Sequence, residues 1–241
     1  MTAPSFKGRE YEKDRRWTDV DRYAVKHLDQ NNQYKDALQY AKDLAEQEGL
    51  PNIEVSTLQG RFLASQCQLI NAKHILEVGT LGGYSAIWLA STSHDVKVTT
   101  IEIDPKHKAV AERVLEHAGL LHRVEILLGN GVDVLQRLRA EVVTGARPRY
   151  DLVFIDADKP NNLNYFNRAV LISRSRACII VDNVVRKGNL ANEAIAQTDE
   201  RVRGSREVVE AVGQHAGVLQ STLIQTVGEK NYDGFLLVVL G

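Results

Sequence analysis

The sequence predicts an α/β fold built on a mostly parallel sheet, and three observations carry that prediction. From residue 74 onward, short apolar runs rich in Val, Ile and Leu alternate with stretches of helical period. Residues 74–85 read as strand, glycine turn and helix: an apolar run to Val78, a bend through Gly79 and Gly83, then the helical pattern of residues 86–90. That geometry brings backbone N–H groups and a helix N-terminus up to a ligand. Third, each predicted strand of the alternating region ends on something polar: Glu77, Glu102, Gly129-Asn130, Asp156 with Asp158, and Asp182-Asn183. Open α/β sheets bind ligands beyond the carboxyl ends of their strands, so five such ends on one edge point to a site.

The elements follow in order. Residues 1–16 are polar and read as a flexible arm, and residues 17–72 as helices that precede the sheet. Thr18-Asp19-Val20-Asp21 resembles a capping box with Asp in the Glu position. A second helix spans about 32–47, closed by Gly49 with Pro51 beyond it, and a third starts near Ser56. Their apolar faces need cover from the sheet or from another subunit. Strands are expected at 96–101, 124–128, 150–155 and 178–181. The helix between the first two of these has both ends marked, with Asp104 as N-cap, Pro105 at the first turn and Gly119 just past the end. Further helices are expected at 132–141, 165–172 and 202–212, with a long polar loop from Arg186 toward Asp199. Two closing β runs, 222–227 and 235–240, flank Asn231-Tyr232-Asp233-Gly234, which suggests an antiparallel hairpin turn.

Length and composition bound the function. A chain of 241 residues suits one α/β domain, read here as residues 1–241 with an α/β core over 73–241. The hydrophobic fraction of 44% and charged fraction of 25% are those of an ordinary globule. A formal net charge of -1 gives no reason to expect nucleic acid or a membrane as partner. Cys67 and Cys178 lie in no metal or disulfide spacing, which suits a reducing compartment. No apolar segment follows the charged N-terminus and the longest apolar run, 235–240, cannot span a bilayer, so a cytoplasmic protein is expected.

The strand ends divide the chemistry in two. Leu81 stands where a dinucleotide fingerprint needs its second glycine. Glu102 lies 23 positions after Gly79, the spacing at which an acid accepts both hydroxyls of a ribose, so the first half of the sheet suits an adenosine-containing ligand. Asp156, Asp182 and Asn183 supply only oxygen donors, which suit Mg²⁺, Ca²⁺ or Mn²⁺. Asp182 and Asn183 can share a metal only where the strand has ended and the backbone turns. The seven histidines form no metal motif, and no G-x-S-x-G supports acyl-enzyme chemistry.

These residues resemble the class I, S-adenosylmethionine-dependent O-methyltransferases, in the cation-dependent branch that includes catechol and caffeoyl-CoA O-methyltransferases. The matching pieces are Leu76-Glu77-Val78-Gly79 with Gly83-Tyr84-Ser85, Thr100-Ile101-Glu102-Ile103-Asp104, Phe154-Ile155-Asp156-Ala157-Asp158-Lys159-Pro160 and Val181-Asp182-Asn183-Val184. The upstream stretch 55–63 and the tail around 224–235 also fit. The resemblance implies a Rossmann-like fold with a seven-stranded sheet and an antiparallel C-terminal hairpin. It implies a cofactor set of Val55, Glu77, Gly79, Thr80, Gly83, Tyr84, Ser85, Glu102, Asn130, Gly131, Asp156 and Asp158, and a metal set of Asp156, Asp182 and Asn183. Lys159 would be the base beside Asp156; the plainer reading is an ion pair with Asp158 or another surface acid. The family's Gly-Gly turn before the fifth strand is replaced by Arg174-Ser175-Arg176-Ala177, and the Trp of plant members by Val185-Arg186-Lys187. The implied reaction is metal-assisted methyl transfer to a vicinal aromatic diol by a homodimer. A dinucleotide-dependent oxidoreductase and a non-catalytic cofactor-binding protein are the competing readings.

Overall fold

The computed structural model describes residues 14–241. Of the expected arm, residues 1–13 lie outside the described residues, whereas 14–16 open the first helix. Helix α1 (Arg15–Leu28) is capped by Asp14, whose side chain accepts the Arg16 N–H, so Thr18 of the expected capping box lies inside the helix. An earlier acceptor was available, and the helix grew back one turn to meet it. Helix α2 (Lys35–Gln47) starts later than residue 32 because the Asn32 side chain accepts the Tyr34 N–H and donates to Asp29, forming a turn instead. Helix α3 (Thr57–Leu69) is capped by Ser56 as expected.

The sheet has seven strands: β1 (His74–Val78), β2 (Lys97–Glu102), β3 (Val124–Leu128), β4 (Tyr150–Ile155), β5 (Ser173–Val181), β6 (Val218–Val227) and β7 (Tyr232–Leu240). Their order is β3-β2-β1-β4-β5-β7-β6; the first five are parallel and β7 runs antiparallel to both its neighbours. The connecting helices are α4 (Tyr84–Ala90), α5 (Pro105–His117), α6 (Gly131–Val143), α7 (Asn162–Ile172), α8 (Glu193–Thr198) and α9 (Glu200–Gln214). Alternation along the strands makes two cores. Ile75, Val98, Phe154 and Ile180 face one apolar layer with α2 to α5, and Leu76, Ile101, Val153 and Ile179 face the other with α6, α7 and α9.

Three expectations are corrected. The stretch 186–199 is not an open loop, because Asn192 caps the short helix α8 by accepting the Ile195 N–H. The hairpin turns at residues 228–231, and Tyr232 to Gly234 already pair with Val227 to Gln225. The fifth strand starts at Ser173 rather than 178, since Ser173 pairs with Tyr150 before the register shifts. Arg176 takes φ 60 there, the conformation a glycine would hold without strain, and the Arg174 side chain donates to Asp151 of β4. Cys67 and Cys178 are buried and unpaired, and burial pushes both thiols up to about 12, so neither is available as a thiolate nucleophile.

Candidate functional site

The strand order reverses direction between β1 and β4, the switch point at which parallel sheets open a crevice. A cavity of about 810 Å³ lies there. It is lined by Gly79, Thr80, Tyr84, Glu102, Asn130, Gly131, Asp156 and Asp158 of the expected cofactor set, together with Lys159 and Asn183. Val55, Glu77, Gly83, Ser85 and Asp182 do not line it. A smaller cavity of about 320 Å³ opens at the opposite edge, near Lys97 and His122, away from the strand-end acids at the switch point.

The glycine turn is tight against the neighbouring strand. Gly79 has φ 103, and a Cβ there would fall 2.2 Å from the Asp156 carbonyl oxygen, so only glycine lets the ends of β1 and β4 meet this closely. Leu81 follows at φ 48, and its N–H donates to Glu102 Oε2 at 2.8 Å. Glu102 Oε1 accepts the N–H groups of Ile103 and Asp104 at 2.8 and 2.9 Å. One carboxylate thus braces the first two strand ends against each other.

Glu77 is buried beneath that turn. Its carboxylate accepts the Ser85 hydroxyl at 2.5 Å and the Thr100 hydroxyl at 2.6 Å, and Thr100 shares a hydrogen bond with Thr80 at 2.6 Å. Burial, offset in part by these two hydrogen bonds, pushes the Glu77 carboxyl up to about 7. The Tyr84 hydroxyl bonds to Thr57 at 3.2 Å, and the Lys42 ammonium sits 5.1 Å from its ring centre. Asn130 caps α6 with its side-chain oxygen, and a Cβ on Gly131 would meet the Tyr165 ring at 2.9 Å.

The second half of the site is acidic. Lys159 is buried, and its Nζ donates to Asp156 Oδ1 at 2.6 Å. The expected pairing with Asp158 is corrected: Asp158 accepts the Tyr165 hydroxyl and Asn161 Nδ2 instead. Asp182 follows β5, beside the end of β4, and its N–H donates to the Ile155 carbonyl at 2.9 Å. Its carboxylate accepts Gln59 Nε2 and the Asn183 N–H, both at 2.7 Å. Burial first, and then the charge of Asp156, raises the Asp182 carboxyl above the usual range, while Lys159 opposes the rise. Asn183 has φ 54, so the backbone turns at the point where the sequence reading needs it to. Two carboxylates that feel each other's charge, one of them paired to an ammonium, plus an amide oxygen, fit a hard divalent cation by donor chemistry. Among the described residues no three His, Cys, Asp or Glu side chains gather as a metal cluster, so the set depends on Asn183 as its third donor.

Several residues of the site escaped the sequence reading. Gln59 reaches Asp182 across 123 positions, and Lys42, Ile53, His107, Arg186 and Arg201 line the cavity from five separate segments. Nothing in their local pattern marks them. The segment bearing Ile53 is held by Lys230 at the hairpin tip, which donates to Glu54 at 2.8 Å and Asn52 at 2.9 Å. Among the described residues no helix is long and apolar enough to cross a membrane.

Comparison with known proteins gives the family. Residues 29–228 match the O-methyltransferase family. An O-methyltransferase of Aspergillus flavus, imqG, is 44% identical over 240 residues, 99% of this chain and 97% of that one. A catechol O-methyltransferase of Mycobacterium tuberculosis is 43% identical over 201 residues, 83% of this chain and 85% of that one. The solved O-methyltransferase of Bacillus cereus in complex with SAH superposes with a TM-score of 0.86 at 39% identity, covering 94% of this chain and 99% of that one.

Proposed function

The chain belongs to the O-methyltransferase family, and from that premise we propose that it methylates one hydroxyl of a vicinal aromatic diol with the help of a divalent cation, Mg²⁺ before Mn²⁺ or Ca²⁺. It is an S-adenosylmethionine-dependent enzyme, which sets aside both the oxidoreductase and the non-catalytic readings. One observation carries the finer proposal. A single cavity joins the glycine turn and Glu102 on one side to Asp156, Lys159 and Asn183 on the other, and the Asn183 N–H donates to Asp182 just outside the lining.

When bound, S-adenosylmethionine supplies an electrophilic methyl and the cation supplies Lewis acidity at the acceptor hydroxyl. This chain's residues do the rest. Gly79, Thr80, Gly83 and Tyr84 shape the turn that receives the methionine end, over the buried Glu77 and Ser85. Glu102 accepts a ribose hydroxyl at Oε2, which takes one amide donor where Oε1 takes two. Asn130 and Gly131 border the adenine, Val55 contributes through its backbone, and Asp158 closes the wall. Asp156, Asp182 and Asn183 hold the cation. Lys159, 2.6 Å from Asp156, takes the acceptor proton as the free amine, its own ammonium proton having first passed to solvent. An unperturbed phenol ionises near about 10, so removing that proton is the step the site must assist. No covalent enzyme intermediate is needed; rate comes from alignment and charge placement. We also propose one domain over the whole chain, a cytoplasmic location, and a homodimer formed through the region before the sheet. In α1 no residue is fully buried, and Val20, Tyr23 and Leu28 are exposed.

The test is methyl transfer from radiolabelled S-adenosylmethionine to paired acceptors, one a vicinal diol and one its monohydroxy analogue. Transfer to the diol alone, lost with chelator and restored by Mg²⁺, is expected. Equal transfer to both acceptors, or full activity with metal verified absent, would sink the proposal.

A further inference from the structure

Two arginines at the mouth of the cavity stand outside its ion pairs. Each acid that lines the cavity has a partner: Glu54 has Lys230, Glu102 has three backbone amides, Asp156 has Lys159, and Asp158 has Tyr165 and Asn161. Arg186 and Arg201 line the same cavity and make no ion pair among the described residues. The Arg186 Nε is buried with no hydrogen-bond partner, a costly state for a charged group.

Both arginines are placed by rigid structure. Arg186 follows Asn183 by three positions and stands at φ 51, with Lys187 at φ 58 and Gly188 at φ 84. Successive non-glycine residues in this region are strained, and strain of this kind persists only where surrounding bonds impose it. Here the Arg186 N–H donates to Asp233 Oδ1 at 3.0 Å, the Val184 N–H to the Gly234 carbonyl at 3.0 Å and the Leu190 N–H to the Val185 carbonyl at 3.2 Å. Burial raises the Asp233 carboxyl, opposed by the Arg186 backbone N–H and then by the Arg186 charge; its Oδ1 is taken by the amides of Arg186 and Gly234, and it makes no ion pair with the guanidinium. Arg201 comes from the first turn of α9. Gly204, one turn further along the same face, packs so closely on the Lys159-Pro160 segment that a Cβ would fall 2.2 Å from the Lys159 carbonyl oxygen. Arg201 is thereby carried to the side of the cavity where Lys159 stands.

We propose that Arg186 and Arg201 form an anion subsite, and that the preferred acceptor is a vicinal aromatic diol carrying a carboxylate on its side chain. This rests on the diol reading above and adds the charge of the acceptor to it. The guanidinium fork matches a carboxylate and is less strongly hydrated than an ammonium, which suits a group held at a half-buried mouth. Arg186, half-buried, carries the larger share; Arg201 is exposed and contributes less. Because the subsite lies away from the reacting oxygen, its contribution appears in KM rather than kcat.

The test compares two acceptors that differ only in charge, a catechol with a propionic acid side chain and the corresponding primary amide. Wild type should favour the acid in kcat/KM by about tenfold or more, through KM, as a charge-assisted contact predicts. Arg186→Gln with Arg201→Gln should bring the two within about twofold, the first substitution alone doing most of it, and Arg186→Lys should keep part of the preference. Arg203→Gln, outside the cavity on the same helix, should leave the ratio unchanged. Effects on folding cancel in the ratio. Equal use of acid and amide by wild type, or a ratio unmoved in the double variant, overturns the subsite. If neither diol is methylated the diol reading fails, and the subsite is then judged by equilibrium dialysis of both compounds against protein loaded with S-adenosylhomocysteine. Tighter binding of the acid that vanishes in the double variant supports it; equal binding overturns it.

Discussion

Substitution of Glu102 separates bracing from binding. Glu102→Ala removes the acceptor of three backbone amides, Leu81, Ile103 and Asp104, at 2.8, 2.8 and 2.9 Å. A hydrogen bond to a charged group contributes about 1.5–3 kcal/mol, but these amides lie at a cavity wall where water can replace the carboxylate, so the expected loss is about 3 kcal/mol rather than the full sum. For a chain of this size that corresponds to a fall in Tm of about 6–12 °C. Glu102→Gln keeps one acceptor oxygen and presents an NH₂ group at the other position. The rotamer that retains Ile103 and Asp104 loses only Leu81, so the cost is about 1.5 kcal/mol and the fall about 3–6 °C. Affinity reads the second role. If Glu102 accepts a ribose hydroxyl, Glu102→Ala weakens S-adenosylmethionine binding at least about tenfold, a change of only about 1.4 kcal/mol, and Glu102→Gln weakens it less. Scanning calorimetry supplies Tm, and titration calorimetry well below the variants' Tm supplies Kd. A glutamine variant with lowered Tm and an unchanged Kd would refute the binding role and leave Glu102 as a brace.

The remaining expectations concern the acidic half, the buried glutamate and assembly. Lys159→Ala should lower turnover by a factor on the order of 10²–10⁴ and remove an ionisation from the pH–rate profile, while Asp156→Ala and Asp182→Ala should be nearly inactive; a Lys159→Ala enzyme that recovers wild-type turnover at raised pH would assign activation to the metal alone. Glu77, raised from an unfolded value near 4.5 to about 7, binds its proton more tightly in the folded state. Glu77 alone should therefore make folding stability of the ligand-free protein fall by roughly 3 kcal/mol as pH rises from about 4.5 to 7, the raised Asp182 adding its own fall, and Glu77→Gln should make the slope shallower; parallel urea midpoints for both proteins across the window would contradict it. Light scattering at micromolar concentration should give twice the 26.9 kDa chain mass, and a monomer mass alone counts against the dimer.

Elements whose ends carry their own chemistry were readable from sequence. Asp104, Pro105 and Gly119 bound α5, and β3 and β4 have the expected limits, because caps and apolar runs act locally. The cap of α1 was not, since Asp14 and Thr18 compete within one turn and only the fold decides. The hairpin turn was misplaced because Tyr232-Asp233-Gly234 has turn composition, yet Gly234 serves close packing: a Cβ there would fall 2.2 Å from the Ile224 carbonyl oxygen. In the site, strand ends announced Glu102, Asp156 and Asn183 at one cavity. They could not show that Glu77 turns both oxygens toward Ser85 and Thr100, or that Gln59 reaches Asp182, because such contacts depend on which strands become neighbours.

The strand order has a consequence for how the protein is made. β7 is the last strand to leave the ribosome, yet it sits between β5 and β6. Until it arrives, the apolar Cys178–Val181 edge of β5 is open to any passing chain, and β6 has nothing to pair with. The β1 to β3 side of the sheet, with its glycine turn, is complete early by comparison. The corner that bears Asp182 and Asn183 is closed by the Val184 N–H meeting the Gly234 carbonyl, within the final eight residues of the chain. A nascent or clipped chain lacking β7 would keep the half of the crevice that faces β1 to β3 and leave the Asp182–Asn183 corner unclosed.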